Sequence, residues 1–465
     1  MKRTFIMLGV TALVSGCTVG PDYVKPDTAG VVPAAWRWQT AEPRDAVSRG
    51  EWWRVFRDGE LDRLEGLAVA GSPSLAAAAA RVDQARAGAR IRMAEWVPEV
   101  RSTAGGQREQ TSGNLPTPVP VRIPAARIDS FSTGLDLSYE IDFWGKVRRE
   151  VESARATADA ASASYHGAML TLTGDVAAQY FIVRASDAEL DSLRRTIALR
   201  EQWTGLLEEK FKAGVVAETD YARARGEVAN AKAQLAEVKR QRQEASDTLA
   251  LLCGVAAGGF AVPERSIGDK APPLIPAGLP ASVLERRPDV AAAERTVAAR
   301  NAEIGVAKAA AFPSVRLTGS SGYLSKDVDS LLSADSQVWS IGPSVSLPFT
   351  GWAMIRFKVE AQVAAREEAV AQYRQAVLTA IRDVESGLAQ VRYLGEQAEA
   401  VSEAVEASGK ATELIRASYE RGAVSYLDLL DAERTRLQSE LASARVAAQR
   451  YLATVRLIKA LGGAW

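Results

Sequence analysis

The sequence predicts a mainly α-helical fold with a smaller β part: two long antiparallel helical hairpins joined to four amphipathic strands. Two observations support this prediction. The chain of 465 residues contains one long unit twice, and each copy has a long proline-free stretch of helix-forming residues. Ahead of each stretch, the apolar residues change from helical spacing to the alternation that is typical of strands.

The two copies are related by a constant offset of 208 residues, the distance from Trp144 to Trp352. Further upstream the offset is 215, the distance from Pro73 to Pro288. The extra residues lie between Thr103 and Trp144, where a proline-rich interval predicts a surface loop. Other pairs that coincide under the offset of 208 are Val151 and Val359, Asp175 and Asp383, Gly214 and Gly422, Asp220 and Asp428, and Gly254 and Gly462.

Each copy is predicted to hold one very long helix, over 145–211 and 353–419, of about 100 Å at ~1.5 Å per residue. A glycine turn follows each helix, and the returning helix after the second turn carries a heptad stripe, which predicts an antiparallel coiled-coil hairpin. Arg434 interrupts this stripe. The stripe consists of Leu427, Arg434, Leu441, Ala448 and Val455 at one position and Leu430, Leu437, Ala444, Tyr451 and Ile458 at the other.

Apolar and polar residues alternate in 129–141, "DSFSTGLDLSYEI", and again in 338–349, "VWSIGPSVSLPF". Together with less regular partners, these segments predict one strand pair in 97–141 and another in 312–349. Strands of about 10 to 13 residues with one apolar face suit the wall of a membrane barrel. Four strands cannot close a barrel, and an open edge in lipid leaves backbone groups unpaired, so we expect the barrel to be shared between subunits.

The N-terminus, "MKRTFIMLGVTALVSGC", has a basic region, an apolar region and small residues before a cysteine. Residues 1–16 are therefore predicted to be a signal peptide, with lipidation at Cys17, because "VSGC" fits the lipobox of bacterial lipoproteins. Thr18, standing where an aspartate would favour retention, implies sorting to the outer membrane. Cys253 is too distant for a disulfide framework and is expected to be a buried apolar residue.

The composition argues against several classes of function. The 57 Lys and Arg balance the 57 Asp and Glu, so nucleic acid is not an expected partner. An envelope enzyme is disfavoured, because His166 is alone and no metal-spaced cluster, catalytic carboxylate pair or phosphate loop is found. We expect no catalytic residue, metal or cofactor. An adhesive coiled coil is disfavoured because a fibre does not need amphipathic strand pairs.

Six stretches of the chain resemble the outer-membrane factor family, the TolC-type exit ducts, and within it the OprM/NodT-like lipoproteins. They are "CTVGPDYVKP", "WWRVFRDGELDRL", "ERRPDVAAAE", "SLPFTGW", "YERGAVSYLDLLDAERT" and the terminal "LGGAW". The resemblance covers essentially the whole chain. It implies a homotrimer in which twelve strands close one outer-membrane β-barrel and the helices form a periplasmic α-barrel tunnel.

The resemblance also implies the partners and the function. The protein is expected to be the outer-membrane exit duct of a tripartite efflux pump, working with a periplasmic adaptor and an inner-membrane pump of the RND type, and exporting drugs or other toxic small molecules. The alternative is the exit duct of a type I, ABC transporter-driven, protein or peptide secretion system. We expect a protein lipid-anchored in the outer membrane of a Gram-negative bacterium and extending into the periplasm.

The expected organisation is a signal peptide at 1–16, a lipid-anchored segment at 17–72, a first repeat at 73–254 and an equatorial connector at 255–287. A second repeat at 288–462 and a short C-terminal end at 463–465 follow. The hairpin tips are expected near 212–216 and 420–424. By the resemblance, these tips dock onto the adaptor through Lys212, Gly214, Val215, Arg421, Gly422 and Ala423.

A periplasmic gate is expected just after the second tip, at Leu427, Asp428, Asp431 and Arg434, since family members carry acidic rings and an apolar ring there. Two rings of like charge in a narrow passage would hold cations. The first copy differs, because Arg223 stands at the position of Asp431. A carboxylate at a helix start can also be a simple dipole contact, and the spacing alone leaves that alternative open.

Overall fold

The computed structural model describes residues 18–27, 32–33, 36–37, 50–113, 124–268, 270–276 and 286–463. The signal peptide, Cys17 and most of the proline-rich loop, 114–123, lie outside the described residues. The helices are α1 Gly59–Gly71, α2 Pro73–Ala94, α3 Lys146–Lys212, α4 Glu218–Leu252, α5 Pro288–Ala309, α6 Trp352–Glu420 and α7 Tyr426–Ala460. The strands are β1 Glu99–Gln110, β2 Arg127–Ile141, β3 Ser314–Ser325 and β4 Gln337–Ser346. The predicted fold class, mainly helical with a four-stranded part, is confirmed.

The two longest helices, α3 with 67 residues and α6 with 69, are built from good helix formers and contain no proline. Each ends where a glycine with positive φ follows, Gly214 at 74° and Gly422 at 75°. Within the part of the chain that the structure describes, no helix is both long and apolar enough to cross a membrane.

The strands form one antiparallel sheet in the order β1-β2-β3-β4. Residues paired across the strands share a face, and the pairing of Leu137 with Gly319 and of Gly319 with Ile341 puts the odd-numbered residues of β2, β3 and β4 on one side. That face is mainly apolar. Its large apolar members are Val100, Phe131, Leu135, Leu137, Tyr139, Ile141, Val315, Leu317, Tyr323, Trp339, Ile341 and Val345.

The opposite face of the sheet is small and polar. Asp136 lies between Arg101 of β1 and Ser320 of β3, and it accepts a hydrogen bond from Thr103 at 3.1 Å. Glu140 accepts from Arg316 at 3.5 Å. Apart from Ile128, Leu324 and Val338, hydroxyls, glycines and a few charges cover this side, whereas most of the large apolar side chains lie on the other. This is the two-sidedness that the alternation in the sequence predicts.

The chain divides into two compact units. The first contains the described residues within 18–26, 82–161 and 293–373, so it holds the sheet and the adjoining parts of α2, α3, α5 and α6. In this unit the Trp144 indole stacks on Phe312 and donates a 2.8 Å hydrogen bond to the carbonyl of Pro313. The segment after Cys17 also belongs here: the Val19 N–H donates to the Trp144 carbonyl, and Arg149 pairs with Asp22 at 2.7 Å.

The second unit contains the described residues within 27–81, 162–292 and 374–463, and therefore most of both hairpins. Its apolar core includes aromatic side chains, and Cys253, as predicted, is a buried free thiol within it. Smaller apolar clusters follow the hairpins towards their tips. One joins Leu190, Leu193, Val238 and Leu437, and the next joins Leu207, Ala224, Tyr426, Leu429 and Leu430.

Arg287 lies at the end of the second hairpin remote from its tip, which we call the base of the hairpin. Its guanidinium is buried and donates to Asp289 at 2.6 Å, to Asp383 of α6 at 3.3 Å, and to the Ala460 carbonyl at the end of α7 at 3.2 Å. One side chain therefore links α5, α6 and α7. In the "RRPD" stretch, the arginine before Pro288 has this structural role.

Candidate functional site at the hairpin tips

The first tip is a compact glycine turn between α3 and α4. The Gly214 N–H donates to the Phe211 carbonyl and the Val215 N–H to the Lys210 carbonyl, both at 2.9 Å, which closes the end of α3 with the pairing expected of a left-handed cap. A Cβ at Gly214 would meet no atom within 4 Å. The backbone conformation, and not a lack of space, therefore requires glycine here.

The second tip repeats this geometry. The Gly422 N–H donates to the Tyr419 carbonyl and the Ala423 N–H to the Ser418 carbonyl, again at 2.9 Å, and a Cβ at Gly422 would also meet nothing. Arg421 folds back and donates from Nε to the Ala417 carbonyl at 2.9 Å. The two tips therefore have the same backbone turn.

The helices that leave the two tips begin differently. In α7 the Ser425 hydroxyl accepts from the Asp428 N–H, and the Asp428 carboxylate accepts from the Ser425 N–H at 2.9 Å, which is a complete capping box. The hydrogen bonds from Ser425 hold the pKa of Asp428 below its usual value. In α4 the corresponding cap residue is Ala217, which has no side-chain acceptor. Asp428 therefore has a local structural role, whatever else it does.

Several predicted site residues are exposed around these turns. Leu427 is 45% exposed although it belongs to the heptad stripe, whereas Leu430, three residues on, is buried. Val215 is 70% exposed. Lys212 reaches Glu208 at 2.7 Å on the surface of α3. An exposed leucine at the start of α7 leaves apolar surface beside the acidic residues of the same turn.

Arg434 joins the two hairpins. Its Nη1 lies 3.5 Å from Oδ1 of Asp431, on the same helix, and its Nη2 contacts Oε1 of Glu227 on α4. Glu227 is nearly buried, and its other oxygen pairs with Arg200 of α3 at 3.1 Å. Chiefly through the hydrogen bond from Arg434, the pKa of Glu227 is lowered from its ordinary value.

A second ion pair with a buried carboxylate lies next to this one. Glu433 pairs with Arg416 of α6 at 3.6 Å, and burial raises the pKa of the Glu433 carboxyl. The nearby Tyr426 hydroxyl is also buried, which raises its pKa to about 12. Charged groups are thus inserted among apolar side chains just behind the tips.

Sequence reasoning missed Glu227, Arg200 and Glu433. One signal could have found Glu227: under the offset of 208, the residue equivalent to Arg434 is Gly226, so Glu227 lies at almost the same height on the other hairpin. An arginine in an apolar heptad stripe needs an acidic partner, and this neighbour supplies it. His166, expected on a helix surface, is instead partly buried beside Tyr165.

These features define a class of protein that combines an open, two-faced β-sheet with two helical hairpins whose tips carry exposed acidic residues. The sequence profile described as "Outer membrane efflux protein" matches residues 64–255 and 279–463. The chain therefore belongs to the outer membrane efflux protein family, whose members are outer-membrane channels of Gram-negative bacteria and not a family of enzymes.

Individual relatives match over their full length. The chain is 32% identical to outer membrane protein OprJ of Pseudomonas aeruginosa, covering 98% of this chain and 96% of OprJ. It is 31% identical to the solvent efflux pump outer membrane protein SrpC of Pseudomonas putida, covering 100% and 99%.

Solved structures agree with these relatives. The outer-membrane channel OprN superposes with a TM-score of 0.89 at 29% identity, over 97% of this chain and 100% of that one. The CmeC outer membrane channel of Campylobacter jejuni gives 0.87 at 25% identity, over 97% and 95%. The protein is thus an outer-membrane efflux channel.

Proposed function

We propose that this channel is the exit duct of a tripartite pump that expels drugs, solvents or other toxic small molecules. It would act as a lipid-anchored homotrimer that receives cargo from an inner-membrane pump of the RND type through a periplasmic adaptor. The cargo class follows the relatives, since SrpC serves a solvent efflux pump and ArpC of Pseudomonas putida an antibiotic efflux pump.

The open sheet is the observation that carries the proposal. β1 and β4 each pair with one neighbour, so both edges of the described sheet carry free backbone N–H and C=O groups. These groups would be costly in lipid unless another copy pairs with them. Joining β4 of one copy to β1 of the next in a ring of three gives about twelve strands, a size known for closed barrels.

Trimerisation is tested by native mass in detergent together with single-channel recording in a planar bilayer. We expect a trimer mass and discrete conductance steps from the same preparation. A ladder of cross-linked species that stops at the dimer would refute the proposal. So would a stable monomer in the absence of detergent.

The tips are proposed to form the adaptor-docking and gating end of the duct. Three copies would bring six tips together, through Lys212, Gly214, Val215, Arg421, Gly422 and Ala423. Leu427, Asp428 and Asp431 would then form one apolar and two acidic rings, with Arg434 behind them. Acidic rings in a narrow passage favour bound cations, and their charge makes the closed passage sensitive to multivalent ions.

The gate is tested by replacing both acids, Asp428→Ala with Asp431→Ala, and recording the isolated trimer in a bilayer. We expect a higher resting conductance and weaker block by La³⁺ added from the periplasmic side, because the charge that holds the cation is gone. The matched control removes two acids from the first tip, Glu218→Ala with Asp220→Ala, and should have a much smaller effect. Equal effects from both pairs would place the gate elsewhere.

Lipidation at Cys17 is proposed from the lipobox. The next residues support an anchor at this position, because the Val19 N–H donates to the Trp144 carbonyl at 3.0 Å, just beyond the end of β2. Cys17 therefore comes directly before a segment that is hydrogen-bonded to the chain just beyond β2. Cys17→Ser should abolish incorporation of labelled fatty acid, and label that persists in this variant would disprove the assignment.

A further inference from the structure

Glu227 is the acidic residue through which the first hairpin holds Arg434 of the second. One carboxylate oxygen contacts the Arg434 guanidinium, and the other pairs with Arg200 at 3.1 Å. Arg200 also donates to the backbone carbonyl of Glu227 at 3.1 Å, so both the side chain and the backbone are fixed. Glu227 is therefore held in place by α3 as well as contacting α7.

Glu227 and Asp431 share the Arg434 guanidinium, Glu227 through Nη2 and Asp431 through Nη1. The Asp431 side chain is 63% exposed and its closest approach to Arg434 is 3.5 Å, at the outer limit of a hydrogen bond. The Glu227 side chain is only 9% exposed. An ion pair is stronger where water is excluded, because the local dielectric constant is lower, so Glu227 holds the guanidinium more strongly than Asp431 does.

We propose that Glu227 is a positioning residue: it draws the Arg434 guanidinium towards α4, keeps the contact of Arg434 with Asp431 long, and thereby keeps the negative charge of Asp431 available to cations in the passage. Removing the charge of Glu227 would release the guanidinium, which can then move onto Asp431 within its own helix at i and i+3. Asp431 would be neutralised although its own side chain is unchanged. This inference rests on the proposed gate.

The chain offers a matched control in a second ion pair between the same hairpins. Glu189 of α3 pairs with Arg445 of α7 at 3.2 Å, and its side chain is 11% exposed. It lies farther from the tip, since Arg445 follows Arg434 by eleven residues, or about 16 Å along a helix. Glu227→Gln and Glu189→Gln therefore make the same chemical change to similar pairs, and only the first one touches the partner of Asp431.

The test measures La³⁺ block of single channels from the periplasmic side. Glu227→Gln should raise the half-blocking concentration at least about threefold, because Arg434 screens the acidic ring. Glu189→Gln should leave it unchanged. The double variant Glu227→Gln with Arg434→Gln should restore block to the wild-type level or better, since no guanidinium remains to neutralise Asp431. If Glu227→Gln weakened the block only by loosening the packing of the hairpins, adding Arg434→Gln would not restore it.

The possible outcomes separate this inference from the gate itself. Asp431→Ala, measured in parallel, reports whether the acidic ring binds the cation at all. If Asp431→Ala weakens block while Glu227→Gln does not, the gate stands and the role of Glu227 is refuted. If the double variant blocks as weakly as Glu227→Gln alone, the positioning role is also refuted. An Asp431→Ala channel that blocks like the wild type overturns the proposed gate.

Discussion

The two hairpin tips have the same backbone and different chemistry. Gly214 and Gly422 have φ values of 74° and 75° and the same pair of closing hydrogen bonds. Beyond the turns, Ser425 caps α7 with Asp428, whereas Ala217 leaves α4 without a side-chain cap. The turn depends on local backbone geometry, which a repeat preserves easily. The charged side chains after the turn depend on the neighbouring helices that they contact, and these differ between the copies.

The bases of the hairpins differ in the same way. Arg287 links three helices in the second copy, whereas the residue at the equivalent position of the first copy is Ser72. The two equivalent aspartates also have different partners: Asp383 pairs with Arg287, and Asp175 pairs with Lys459 of α7 at 3.0 Å. Arg287, directly before the second copy, and Lys459 within it thus supply basic partners for the two aspartates, so Asp175 of the first copy is paired by the second.

The largest effect is expected from Arg287→Ala. It removes the hydrogen bonds of Arg287 to Asp383 and to the Ala460 carbonyl, leaves Arg382 as the remaining donor to Asp383, and should lower the stability by about 3 kcal/mol. Ser72→Ala at the equivalent position removes one hydrogen bond to Ser74 and should cost only about 1 kcal/mol. Thermal unfolding of the purified protein in detergent measures both. Equal losses would mean that the two bases are held alike.

The next largest effect is expected at Glu65, a buried glutamate of α1. Glu65 is fully buried, neither carboxylate oxygen has a hydrogen-bond partner among the described residues, and burial raises its pKa to about 10. A raised folded pKa gives stability that is complete below the unfolded value of about 4.3 and is lost as pH rises towards 10.

Glu65→Gln removes this pH dependence, because an amide does not ionise. The variant should therefore become more stable relative to the wild type as pH rises, by about 2.5 kcal/mol between pH 5 and pH 7. The unfolding temperatures of both proteins, measured across this range, provide the test. A difference that stays constant with pH would show that the Glu65 carboxyl is ionised in the folded protein.

Replacing either tip glycine by valine should lower the stability by less, and by a similar amount at the two tips. Gly214→Val and Gly422→Val each place a β-branched residue at positive φ, at a cost of about 1 to 3 kcal/mol. By the docking proposal, Gly422→Val also lowers drug resistance in cells while the trimer yield stays normal. Asparagine tolerates this conformation, so Gly422→Asn is the control. Normal resistance with Gly422→Val at normal trimer yield would remove this tip from docking.

The smallest effect tests the caps directly. Ser425→Ala removes the capping box and should cost about 1 kcal/mol, whereas Ala217→Ser should create a cap on α4 and add up to about 1 kcal/mol. Amide hydrogen exchange in the first turns of α4 and α7 reports on each change locally. If Ala217→Ser gives no added protection, the backbone of the first tip does not place a serine for capping.

Much of the fold was predictable because its signals are local. Alternation in 129–141 predicts a two-faced strand, and β2 is that strand. The glycine turns are equally local, since a positive φ after a long helix requires the residue that lacks a Cβ. The capping box at Ser425 was also readable from sequence, as a serine followed three residues on by an aspartate.

The sequence by itself determined the repeat, the long hairpins, the four strands and the positions of the tips, because helical period, strand alternation and turn chemistry act over a few residues. Only the tertiary structure decided which charges meet. Arg434 pairs with Glu227, 207 residues away, and Arg287 pairs with Asp383, 96 residues away. Such pairs depend on the packing of separate helices and on the exclusion of water around them, and neither is encoded in local sequence.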